Sequence, residues 1–120
     1  VANTGEQTEL PEYTLGWLPD EYEKFENYRD SQFEWIIYAN DDGQEISFLY
    51  SFDNLHMNSV HDQVISTSVS GQPAELYHSE NVYEQNNIVW SNSPDNIIFS
   101  ISGCFDDYIL IKMAENVVIS

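Results

Sequence analysis

Gln32-Phe33-Glu34-Trp35-Ile36-Ile37-Tyr38-Ala39, then Asn40-Asp41-Asp42-Gly43-Gln44, then Glu45-Ile46-Ser47-Phe48-Leu49-Tyr50-Ser51-Phe52 is the stretch that decides the fold. Its first arm is dense in β-branched and aromatic residues, the types that fit a pleated, half-buried surface. Its second arm alternates: Ile46, Phe48, Tyr50 and Phe52 fall on one face, with Ser47 and Ser51 on the other. A period of two is the signature of a strand with one buried face. The Asp42-Gly43 pair between the arms is turn chemistry of the hairpin kind. A hairpin presenting one face to a core is therefore predicted over 32–52.

The same period continues toward the C-terminus. Residues 63–70 read as a strand, Gly71-Gln72 as a turn, and 73–78 as a short strand with Ala74 and Leu76 on one face. Residues 79–86 read as loop, and 87–91 as a strand with Ile88 and Trp90 together. Asn92-Ser93-Pro94-Asp95 is turn chemistry, and 96–102 is the last strand of this run, with Ile97, Phe99 and Ile101 on one side. Strands about ten residues apart favour hairpins over βαβ crossovers. After Gly103 the period changes. Leu110, Met113, Ala114 and Val117 stand at i, i+3, i+4 and i+7, so a helix is predicted over 105–117. Asp106 and Asp107 lie in its first turn, where acids complement the helix dipole. Its apolar stripe is expected to cover the sheet face carrying Phe48, Trp90 and Phe99.

The N-terminal third is less regular. Residues 1–9 are polar and are expected to be disordered. Residues 10–19 read as an edge element, because Pro11 and Pro19 suit an edge and not a central strand. Residues 20–31 are acidic and aromatic. Tyr22, Phe25 and Tyr28 recur at three-residue spacing, compatible with one helical turn, and the segment is read as a loop. The fold class is thus α+β: an antiparallel β-meander of about six to seven strands with one C-terminal helix packed on one face. It forms a single domain over residues 10–120.

Charge excludes whole classes of function. The chain has 21 acidic residues against three basic ones, Lys24, Arg29 and Lys112, for a formal net charge of −18. Such a surface repels phosphates and anionic headgroups, so nucleic acid and acidic membranes are not expected partners. A cationic partner is favoured, and plain solubility is the alternative reading of the same charge. Yet 42% of the residues are hydrophobic and 14% aromatic, enough for a folded core. Residues 53–62 read as a polar connection. No apolar run reaches the ~20 residues a spanning helix needs. The start at Val1 shows neither an initiator Met nor a leader pattern, so any membrane attachment is expected from an upstream anchor.

No chemistry-bearing motif stands out. There is no Gly-x-Ser-x-Gly elbow. His56 and His61, near Asp53 and Asp62, match no zinc spacing. The run 40–45 lacks the alternating ligands and distal Glu of a calcium loop. No glycine-rich phosphate loop is present. Cys104 is the single cysteine, so no internal disulfide forms, and it reads as a small buried hydrophobe rather than a reactive thiol. Neither a catalytic residue, a metal nor a cofactor is expected. The aromatic residues of the first third remain. Tyr13, Trp17, Tyr22 and Tyr28 are candidate ligand contacts, for a sugar or a peptide, with core padding as the other reading.

A family resemblance is carried by three segments. Tyr13-Thr14-Leu15-Gly16-Trp17-Leu18-Pro19-Asp20-Glu21-Tyr22 opens it, Val69-Ser70-Gly71-Gln72-Pro73-Ala74-Glu75-Leu76 forms its middle, and Val89-Trp90, Ile98 to Gly103 and Leu110 to Val117 close it. Their order resembles a domain-of-unknown-function family, number four-three-six-seven, of low-GC Gram-positive bacteria, over residues 10–118. Trp17 and Asp20-Glu21 depart from the usual pattern of a smaller aromatic and a Glu-Gly pair. The resemblance implies an extracytoplasmic C-terminal module of a membrane-anchored, sometimes anti-sigma-factor-like protein. It supplies no catalytic residues to transfer. The expected function is a non-enzymatic sensor or interaction domain at the extracellular face of the membrane, anchored or secreted, binding a protein or a wall-derived ligand. The alternative is a secreted carbohydrate- or peptide-binding module or hydrolase using the N-terminal aromatics. A third is an acidic mimic of nucleic acid.

Overall fold

A computed structural model describes residues 10–52, 63–78, 86–92 and 97–119. The readings of 1–9 as disordered, of 53–62 as a connection, of 79–86 as loop and of 92–95 as turn lie outside these residues, as do His56 and His61, except that Asn86 and Asn92 belong to a strand and not to the loop and turn they were read in.

The elements run β1 (Tyr13–Leu15), β2 (Glu23–Arg29), β3 (Phe33–Ala39), β4 (Glu45–Phe52), β5 (Gln63–Val69), β6 (Gln72–His78), β7 (Asn86–Asn92), β8 (Ile97–Gly103), α1 (Asp107–Glu115) and β9 (Val117–Ile119). Seven strands form one antiparallel sheet in the order β2-β3-β4-β8-β7-β6-β5, and β1 and β9 pair in a separate two-stranded ribbon. The α+β class with one C-terminal helix is as predicted. The meander exists as two runs, β2-β3-β4 and β5-β6-β7-β8, which meet where β4 pairs with β8. Local hairpin signals cannot show that junction, because β4 and β8 are far apart in sequence.

Alternation decides which face is buried. Ile46, Phe48 and Tyr50 are fully buried, and Ile88, Trp90, Ile97, Phe99, Ile101, Ala74 and Leu76 join them in one core. The helix lies on this face, sinking Leu110, Met113 and Ala114 into the same cluster. Asp106 is its N-cap and accepts from the Ile109 N–H at 3.2 Å. Such a cap stabilises a helix by about 1 kcal/mol. The helix is shorter than predicted: it stops at Glu115, and Asn116 closes it with its side-chain amide on the Lys112 carbonyl at 2.7 Å. Val117, which continued the helical period, instead opens β9 and pairs with Leu15. Gly16 makes that approach possible. Its N–H donates to the Asn116 carbonyl at 2.7 Å, and a Cβ there would stand 2.8 Å from the same oxygen.

Two turns are resolved more finely than predicted. Asn40 closes the 32–52 hairpin, its Oδ1 accepting from the Asp42 and Gln44 N–H groups at 3.0 Å, with Gly43 at φ +82°. Ser70-Gly71, not Gly71-Gln72, makes the β5–β6 turn, with φ values of +49° and +85°. Gln72 already belongs to β6.

Residues 20–31 are the clearest correction. The segment read as a loop contains a seven-residue strand, Glu23–Arg29, antiparallel to β3. Its composition hides the strand, because most of its side chains are exposed and its register shifts between Lys24 and Glu26. The pairing partner supplies what local propensity lacks.

Candidate functional site

The four aromatic candidates do not share a surface. Tyr13 is buried, with its ring edge-on to Tyr50 at 5.1 Å and Phe99 at 5.0 Å. Trp17 is half-buried beneath the Lys112 ammonium, 4.3 Å from the ring centre. Tyr22 packs against Phe105 at 5.9 Å. Tyr28 alone is well exposed, beside Trp35 at 5.7 Å on the sheet face turned away from the helix. Three of the four are thus tied to the core or its cover, where an aromatic ring buries most surface.

The most highly organised ionisable group was not foreseen. Glu34 is 5% exposed on the core side of β3. It accepts from the Arg29 guanidinium at 2.9 Å, the Asn27 amide at 2.7 Å and the Tyr50 hydroxyl. Tyr50 in turn accepts from the Tyr13 N–H at 2.9 Å, and Arg29 donates to the Leu10 carbonyl. Tyr38 plays the same part nearby, its hydroxyl accepting from the Leu15 N–H at 3.2 Å and meeting the Thr14 hydroxyl at 3.0 Å. Two buried tyrosines therefore hold β1 against the sheet. Burial opposes ionisation of Glu34, but the bonds from Tyr50, Asn27 and Arg29 outweigh it and hold the carboxyl below its ordinary range. Burial and the bond to Glu34 push the Tyr50 hydroxyl up. A carboxylate held ionised by its own partners is a structural anchor, the reverse of a general acid poised near neutrality.

Elsewhere the His78 ring contacts the Asp107 carboxylate at the first turn of the helix. Among the described residues, no three His, Cys, Asp or Glu side chains gather as a metal site requires. Cys104, read as a small buried hydrophobe, is instead exposed, just before the helix. No described helix is long and apolar enough to cross a membrane.

The sheet face away from the helix is the remaining surface with a distinct character. Register aligns its outward positions in rows. One runs Trp35, Leu49, Ser100, Val89; its neighbours run Phe33, Ser51, Ile98, Ser91 and Ile37, Ser47, Ser102, Asn87. None of these residues is charged, in a chain carrying 21 acids. Large and small side chains alternate along the row of Phe33, Ser51, Ile98 and Ser91, and Ser51 and Ser100 are buried whereas Ser47, Ser91 and Ser102 are half-buried. Ser100 is 6% exposed and donates to the Asn87 side-chain oxygen at 2.8 Å. Ser51 is completely buried, and its hydroxyl has no hydrogen-bond partner among the described residues. Toward β5 the face opens into a shallow concavity of about 400 Å³, lined by Ser66, Pro73, Glu75, Val89, Ser91 and Ile98. A second hollow of about 260 Å³ lies between the ribbon and the sheet, among Tyr13, Trp90, Phe99 and Glu115.

The placing of Ser47 and Ser51 opposite the apolar face of their strand was visible as a pattern; Ser100 and Ser102 were not singled out. Its meaning required the register, because only neighbouring strands turn scattered serines into a continuous uncharged face. No curated protein matches the chain. The model of a family described as a domain of unknown function (DUF4367) matches residues 12–117, which spans both sheets and the helix, and the chain accordingly belongs to that family.

Proposed function

We propose that this domain is a non-enzymatic interaction module whose working surface is the outer face of the seven-stranded sheet. The observation that carries the reading is the absence of charge across the rows of β3, β4, β8 and β7. A solvated face of a chain with net charge −18 would be expected to share that charge. An uncharged patch with apolar knobs and hydroxyl-lined recesses has instead the character of an interface core, where charged residues are depleted. The ionisable network of Glu34 supports a non-catalytic role, since its groups are satisfied by one another. The extracytoplasmic, membrane-anchored or secreted setting belongs to the proposal on the strength of the family resemblance alone. In that setting the domain acts as a sensor, its partner a protein or a wall-derived ligand.

Photo-crosslinking tests the surface. A benzophenone side chain at Leu49, in the middle of the outer face, is expected to give discrete adducts in native cells. The same group at Tyr108, 68% exposed on the helix, is expected to give none. Adducts at Tyr108 alone would move the working surface to the helical side and overturn the assignment.

A second reading rests on one observation. Tyr28 and Trp35 are both exposed and lie side by side with their rings tilted by 35°, and such a shelf can stack against a sugar ring. In that case wall-derived oligosaccharides quench Trp35 fluorescence, and Tyr28→Ala removes the effect.

A further inference from the structure

The sheet ends differently on its two sides. On one side β2 carries Glu23, Lys24, Glu26 and Arg29 and a register shift. Charge and bulges are the usual means by which an edge strand refuses partners. On the other side β5 reads Gln-Val-Ile-Ser-Thr-Ser-Val, with no charge, no proline and no glycine. Its register against β6 runs unbroken from Gln63 to Val69, and among the described residues it has no second neighbour. Val64 and Ile65 are 53% and 39% exposed, on opposite sides of the strand.

The turn determines which backbone groups face outward. Ser70 and Gly71 form a two-residue connection with both φ values positive, so Val69 and Gln72 are the hydrogen-bonded pair that closes the hairpin. Alternation then turns the N–H and C=O groups of Val64, Ser66 and Ser68 away from β6. The side chains of these residues lie on the outer face, and Ser66 stands directly opposite Glu75. Among the described residues Glu75 is the one acid lining the concavity beside this edge, and its carboxylate accepts from Tyr77 at 2.7 Å.

We propose that β5 accepts an extended segment of a basic partner protein as an added antiparallel strand, with a lysine or arginine opposite Ser66 reaching across it to Glu75. This rests on the reading of the domain as an interaction module, and it names the mode and the chemistry of the partner. Strand addition draws affinity from main-chain hydrogen bonds and specificity from alternate side chains. The added residue would lie two strand spacings from Glu75, about 10 Å, a gap that an extended basic side chain and a glutamate close between them. Ser66 is small enough to let the chain pass. Net charge selects the occupant. Two copies each carrying −18 repel, so pairing of β5 with its own kind is disfavoured, whereas a cationic segment is drawn in.

The test uses the whole chain and a capped heptapeptide of alternating valine and lysine. Titration is expected to shift and protect the amides of Val64, Ser66 and Ser68. The same peptide N-methylated on alternate residues, so that it cannot pair, is expected to lose all measurable binding. Ser66→Pro removes an N–H that no bond among the described residues uses, and is expected to weaken binding at least about tenfold, the equivalent of about 1.4 kcal/mol. Glu75→Gln is expected to weaken it about fivefold and to flatten its salt dependence. Equal binding of the N-methylated peptide, protection mapping elsewhere, or no binding by the lysine peptide overturns strand addition. So does a dimer of the unliganded chain that Ser66→Pro dissolves. If Ser66→Pro fails to fold, the N-methylated peptide decides alone. If Leu49→Glu abolishes binding and Ser66→Pro leaves it intact, the outer-face reading stands while strand addition falls.

Discussion

The two edges of the sheet show how one chain treats the same structural problem in opposite ways. Each edge strand leaves a row of backbone donors and acceptors without a sheet neighbour among the described residues. At β2 that row is guarded by charge, and the strand is anchored from below. Arg29 pairs in register with Glu34, and their network reaches Tyr50, Tyr13 and Leu10. At β5 neither device is present, and nothing charged stands on the strand. The difference teaches that β2 is a strand because its neighbours hold it, whereas β5 is a strand by its own composition. One edge carries four charged residues; the other carries none.

The contrast can be broken most forcefully at the anchored edge. Glu34→Ala leaves Arg29 and Tyr50 without their shared acceptor and removes the part that β3 plays in the network joining β2 and β4. A loss of about 2–4 kcal/mol is expected in denaturant unfolding, less than for a fully buried pair because Arg29 is partly exposed. Amide exchange should locate the loss in β1 and β2, with β5 and β6 little changed. Uniform loss of protection would mean that the two edges are not energetically separate.

A smaller effect comes from acid. The Glu34 carboxyl titrates below its ordinary value of 4.5 in the folded chain, so its contribution is fully present above that value. It is lost as the pH falls through the lower folded value. Stability and β2 protection are therefore expected to drop together on acidification, and Glu34→Gln should flatten that part of the pH profile. A profile unchanged by Glu34→Gln would assign the acid sensitivity to other carboxylates.

The smallest effect sharpens the other side. Ser66→Lys places a charge on the exposed face of β5, and the unfolding midpoint should move by no more than the equivalent of about 0.5 kcal/mol. The substitution supplies the guard that β2 already has, so binding of the valine–lysine peptide should fall while folding is unchanged. A large loss of stability would show that β5 is not a free edge.

Much of this architecture is legible in the sequence. The alternation from Ile46 to Phe52 marked the buried face of β4, and Ile97, Phe99 and Ile101 did so for β8, with each of these positions buried except half-buried Phe52. Leu110, Met113 and Ala114 marked the helix face. The aromatic candidates were less legible, because exposure of a ring is not written in its spacing. Tyr13 and Tyr28 have the same side chain, yet one is in the core and the other beside Trp35 on the surface. The Glu34 anchor was invisible for a related reason. Among 21 acids, nothing local distinguishes the one that a distant tyrosine and a neighbouring strand will surround.

The sequence by itself determined the strand and helix periods, the buried face of each central strand and the net charge of −18. These depend on side-chain alternation and net charge, which are local or additive properties. Only the tertiary structure decided that β4 lies beside β8, that Glu23–Arg29 is a strand, that Val117 leaves the helix to pair with Leu15, and that scattered serines form one uncharged face. Each of these depends on which distant segment comes to lie alongside. That choice is made by the free energy of the whole core and not by any single stretch of chain.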